Sequence, residues 1–140
     1  MAVRYWFRRT LRLHRHKRHR AASRALGIMA HLLADLAQPM HTDESAGEER
    51  ADLRYESKVD ARCEGSPSDC VYRFYYDGGD PARPYRRARA LVRRAHPLYT
   101  ELVRAVKHDA NGYNKRIHKI TKHRLNDAAN AIADLILQLR

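Results

Sequence analysis

The chain has 140 residues, 44% hydrophobic and 31% charged, with a formal net charge of +12. That length and apolar content allow one globular domain with a workable core. No run is apolar enough to span a membrane, and no internal repeat is evident.

The charge is uneven. Residues 1–24 hold nine Arg or Lys and no Asp or Glu, which leaves +3 for the rest of the chain. The span from Arg4 to Arg24, with His14, His16 and His19 interleaved, reads first as a solvated helix face or an exposed end. Its other reading is contact with the phosphates of nucleic acid or of anionic lipid. Tyr5-Trp6-Phe7 offers apolar surface to bury.

The first long helix is marked by Ala21, Ala25, Ile28, Leu32 and Leu36, which recur at three to four residues and imply a buried stripe. Gly27, one turn before His31, is expected to give space near that residue. On this helix His31 and Asp35 stand at i and i+4 and share a face. Pro39 cannot continue the helix, so the chain turns there and can swing His41 back towards the same point. His31, Asp35 and His41 are mixed nitrogen and oxygen donors of the kind that suit zinc.

An acidic loop with Asp43, Glu44, Glu48 and Glu49 follows. So many carboxylates repel one another unless cations offset them. A short helix is expected from Asp52 to Val59, and it carries a second i, i+4 pair of ligand types, Asp52 and Glu56. The Gly, Pro, Asp and Ser content of Arg62 to Pro84 predicts a loop. Inside it, Cys63 and Cys70 suit either a small disulfide or two free thiols. Val71 to Tyr76 is either extended or packs its aromatics on the core.

Two helices complete the chain. One runs from about Pro84 to Lys107, with Ala88, Leu91, Val92, Ala95, Leu102 and Val106 as its apolar face and a kink expected at Pro97. The last runs from about Asn114 to Leu139, with Ile117, Ile120, Ala128, Ile132, Leu135 and Leu139 at helical spacing. His96, His108, His118 and His123 have no paired ligands in sequence and are given no role. Asn126 and Asn130, at i and i+4, are expected to bond a neighbouring backbone. The fold class is all-α, a single helical domain over 1–140 with a basic segment at 1–24 and the cysteine-bearing loop at 62–84.

His31-x-x-x-Asp35-x-x-Gln38-Pro39-Met40-His41, followed after a loop by Tyr55-Glu56, resembles the zinc-dependent phospholipase C and single-strand nuclease superfamily. That superfamily carries His-x-x-x-Asp-x-x-Gln-Pro-Leu/Met-His and then His-x-x-x-Glu. The run-in Gly27-Ile-Met-Ala-His31 is similar as well. The resemblance implies a helical bundle of that type, one to three zinc ions, and hydrolysis of phosphodiester bonds. It implies that His31 and Asp35 bind one zinc, with Asp35 the bridging or nucleophile-orienting carboxylate, and that His41 and Glu56 bind a separate ion. Asp52 stands where the family has a histidine, so oxygen replaces nitrogen, which is ordinary zinc chemistry.

The family also draws ligands from an N-terminal tryptophan and histidine and from an upstream aspartate and histidine. Only thirty residues precede His31. His14, His16 and His19 would lie roughly 18 to 25 Å from His31 along a continuous helix. The chain is therefore expected to be a C-terminal portion of such an enzyme, or a reduced descendant with an incomplete site and weak turnover. The resemblance implies a secreted or periplasmic protein, while the first residues lack the apolar stretch of a signal peptide. A phospholipid is the modestly favoured substrate, with a single-strand nuclease as the alternative. The rival class is a non-enzymatic helical binding module with a structural metal site.

Overall fold

The computed structural model describes residues 2–43, 49–63, 72–79, 83–108 and 114–139, and among these every regular element is helical. The elements are α1 (Ala2–Arg15), α2 (His19–Ala37), α3 (Glu49–Asp60), α4 (Pro84–Ala95), α5 (Tyr99–His108) and α6 (Lys115–Leu137), with one-turn 3-10 helices at Pro39–Thr42 and His96–Leu98. The positions Glu44, Glu48, Cys70 and Val71 lie outside the described residues.

The basic N-terminal segment is folded. It forms α1 and the start of α2, and the helix breaks between them at Lys17, whose φ of 57° is left-handed. An L residue there is uncommon, and it reverses the chain within a short turn. Leu13 packs with Ala22 and Ala25, while Val3 packs with Met29 and Leu33. The two helices are therefore antiparallel. The arginines of α1 remain on the outside while Val3, Thr10 and Leu13 are buried.

In α2 the buried stripe is Ala22, Ala25, Met29, Leu33 and Ala37, one position away from most of the stripe expected from sequence. Ile28 is exposed, and Ala21, Leu32 and Leu36 are only partly buried. Both series have helical spacing because α2 is apolar around most of its girth, and α1, α4 and α6, which all pack on it, decide which face lies deepest. Gly27 needs no special space: a side chain there would meet nothing.

Among the described residues two larger clusters lie beside the small one of Leu13, Ala22 and Ala25. One joins Val3, Met29, Leu33, Ala37, Leu91, Ala128, Ala131 and Leu135 across α1, α2, α4 and α6. The other joins Met40, Ala51, Tyr55, Tyr72, Tyr99, Leu102, Val103, Val106 and Ile117. The expected helix over 84–107 is interrupted at Pro97, where it passes through the 3-10 turn into α5. Asn114 caps α6 by accepting bonds from the Arg116 and Ile117 amides.

The segment 72–79 has no regular secondary structure and runs beside α6. Asn126 accepts from the Tyr75 amide, and Asn130 accepts from the Asp77 amide while donating to the Tyr75 carbonyl. These two asparagines supply the backbone partners that a strand neighbour would otherwise provide. Tyr72 is buried and stacks on His118 at 5.3 Å. Cys63 is disulfide-bonded, so the free-thiol reading is set aside.

Polar contacts also tie the helices together. Asp134 on α6 is fully buried and pairs with Arg87 of α4. Arg116 of α6 grips Glu101 of α5 with Nε to Oε1 at 2.6 Å and Nη2 to Oε2 at 3.2 Å. That hydrogen bonding holds the Glu101 carboxyl below the ordinary glutamate range. The stabilisation it brings is present above that range and is lost as pH falls through the lowered value. Among the described residues no helix is long and apolar enough to cross a membrane.

Candidate metal centre

The turn after α2 is built to be rigid. Ala37 lies in one core cluster and Met40 in the other, and Pro39 between them is fully buried. Thr42 Oγ1 donates to the Pro39 carbonyl at 2.6 Å. With both sides anchored, His41 has little freedom to leave the end of α2.

Helix α3 is fixed just as firmly. Tyr55 is buried, and its hydroxyl meets Thr121 Oγ1 of α6 at 2.9 Å. Asp52 and Glu56, one helical turn apart beside Tyr55, are thereby presented together towards the turn.

The sequence-derived residues His31, Asp35, His41, Asp52 and Glu56 come together at this junction. His31 Nε2 lies 3.3 Å from Asp35 Oδ2, and His41 Nδ1 lies 3.5 Å from Asp35 Oδ1. The other nitrogen, His41 Nε2, lies 3.2 Å from Asp52 Oδ2 and 3.5 Å from Glu56 Oε1. His41, Asp52 and Glu56 form a group able to hold a metal ion, with one donor atom of each lying within 4.8 Å of the others. Their side chains are between a quarter and a half exposed, whereas His31 is 74% exposed.

These separations bear on whether zinc fits. Two ligands of a tetrahedral zinc at ordinary bond lengths stand roughly 3.3 to 3.6 Å apart. A charge-assisted N–H···O bond is shorter, about 2.7 to 2.9 Å. The two contacts of His41 Nε2, at 3.2 and 3.5 Å, lie near that ligand spacing. Three carboxylates also converge on one imidazole, which even when protonated offsets only one of their charges. A divalent cation would relieve that excess, and one nitrogen with two oxygens is a donor set of the kind zinc takes.

Gln38 is the residue whose part the sequence reading left unassigned. Its Nε2 donates to Asp52 Oδ1 at 3.0 Å and to Glu56 Oε1 at 3.3 Å. It holds the two carboxylates together through the oxygen lone pairs, the arrangement that commonly orients metal ligands. The signal was its place in the Gln-Pro-Met-His turn.

Asp35 touches His41 on the nitrogen opposite to Asp52 and Glu56. Its second oxygen is turned to His31. His14, His16 and His19 belong to the far end of the α1–α2 hairpin, where the rings of His14 and His19 lie 5.7 Å apart. The helix breaks, yet the run of α2 still separates them from His31 by roughly 18 Å or more.

An apolar hollow of about 440 Å³ opens beside Asp35, walled by Val3, Leu32, Leu36, Ala88 and Val92 and edged by Arg4, Tyr85 and Arg89. No protein-family model, curated protein or solved structure matches this chain.

Proposed function

We propose that this protein is a zinc-dependent phosphodiester hydrolase acting on a phospholipid, a reading that starts from the resemblance of its His31-to-Glu56 motif to that of the phospholipase C and single-strand nuclease superfamily. The observation that carries the reading is His41, whose imidazole faces Asp35 through Nδ1 and the Asp52–Glu56 pair through Nε2. A carboxylate behind a histidine, with donors in front of it, is how proteins commonly hold a catalytic metal.

His41, Asp52 and Glu56 would hold the zinc, with Gln38 and Asp35 fixing their orientation. Zinc bound there supplies Lewis-acid polarisation of a phosphoryl oxygen and lowers the pKa of water towards neutrality. In this reading Asp35 acts from behind His41, keeping the imidazole in line with the Asp52–Glu56 pair, while its Oδ2 faces His31. His31, largely exposed and 3.3 Å from Asp35, would meet a phosphate oxygen.

The test is release of phosphorylated headgroup from a choline phospholipid, run in parallel with cleavage of single-stranded DNA. The expected result is slow, zinc-dependent release that a chelator removes and Asp35→Asn abolishes. Chelator-insensitive activity, or full activity in Asp35→Asn, would overturn the proposal. Cleavage of the DNA alone would move the substrate to nucleic acid.

A further inference from the structure

We propose that the paired faces of α1 and α4 form a docking surface for an anionic lipid bilayer. A groove of about 600 Å³ runs between these helices, lined by Arg4, Arg8, Arg83 and Arg86 together with Phe7 and Tyr85. There is no Asp or Glu among residues 1–34 or 81–100, so no carboxylate from either helix neutralises the groove. Among the described residues Arg4, Arg8, Arg83, Arg86 and Arg89 form no ion pair, in contrast to Arg87 and Arg94, which pair with acids of α6. Fold stability does not account for these five cations.

The choice of lipid over nucleic acid follows from what adjoins the groove. Arg4 and Tyr85 line both the cationic groove and the apolar hollow, so the two form one continuous surface. A nucleic acid strand would engage the arginines and leave the hollow facing water. A bilayer offers phosphates to the arginines and acyl chains to the hollow. Exposed Tyr5 and Tyr85, apolar in body and polar at the tip, suit the headgroup boundary, as do arginines whose stems lie on apolar surface. The hollow also opens beside Asp35, so docking would bring lipid to the candidate metal centre; that consequence rests on the hydrolase reading, whereas the docking does not.

The experiment is co-sedimentation of the full chain with sucrose-loaded vesicles at physiological ionic strength, comparing phosphatidylcholine alone with phosphatidylcholine containing phosphatidylserine. Binding to the anionic vesicles is expected to be at least about tenfold tighter, and Arg8→Glu with Arg86→Glu to remove most of that difference. Arg8→Gln with Arg86→Gln should give an intermediate loss with the helical circular dichroism unchanged. Arg104→Glu with Lys119→Glu makes the same change in net charge on other helices and should leave binding nearly intact. Equal losses in both charge-reversed pairs would show that binding follows net charge and would overturn the proposal. So would displacement of the protein from vesicles by single-stranded DNA at matched phosphate concentration. Glu56→Gln should bind vesicles like the unaltered chain, which keeps failure of docking distinct from failure of the metal site.

Discussion

Asp35 and His41 face each other across the Pro39 turn, Oδ1 to Nδ1 at 3.5 Å, so one carboxylate of α2 sets the direction in which the imidazole presents Nε2 to α3. The contact joins the end of one helix to the ligand pair of another. Asp35 lies on the Nδ1 side of His41, while Asp52 and Glu56 lie on its Nε2 side.

Metal affinity is the first consequence. Zinc is expected to bind at about one equivalent, and His41→Ala or Glu56→Ala should abolish tight binding because each removes a donor. Gln38→Leu and Asp35→Asn keep all three donors but lose their orientation, and should weaken zinc binding by about ten- to a hundredfold. Isothermal titration against zinc, with elemental analysis after dialysis, separates the two classes. A folded protein with no bound zinc would remove the metal centre.

The register of α2 provides the second. Leu33 and Met29 are fully buried while Ile28 is 40% exposed, although all three fit a helical apolar pattern. Leu33→Ala should cost about 2 to 5 kcal/mol and Met29→Ala a similar amount, whereas Ile28→Ala should cost about 1 kcal/mol or less. Urea unfolding followed by circular dichroism measures all three. Equal losses would return the buried face to the stripe read from sequence.

The third concerns Asp134 and Arg87, which link α6 to α4 away from solvent. Removing one member of a buried charge pair typically costs about 3 to 5 kcal/mol. Asp134→Ala should therefore destabilise strongly. A double change, Asp134→Leu with Arg87→Met, should recover much of the loss, because an apolar pair of similar volume no longer leaves a buried charge. Denaturant midpoints of the single and double variants check the coupling.

Apolar spacing and the two prolines were enough to determine that the regular elements of the described residues are helices, with a break at Pro97 and a stop at Pro39, because backbone geometry acts locally. The ligand types were legible for the same reason: i, i+4 spacing puts Asp52 with Glu56 and His31 with Asp35 whatever surrounds them. Asn126 and Asn130 were read correctly as backbone partners, though what they bond, the 72–79 segment, was not visible. Tertiary packing decided the rest. The hairpin at Lys17, the buried face of α2, the pairing of Asp134 with Arg87, and the part played by Gln38 each depend on residues distant in sequence. A helix that is apolar around most of its girth has several equivalent stripes, and only the neighbours that pack on it select one. Likewise, a glutamine amide can serve many acceptors, and only the approach of α3 to the Pro39 turn supplied the two carboxylates that it holds.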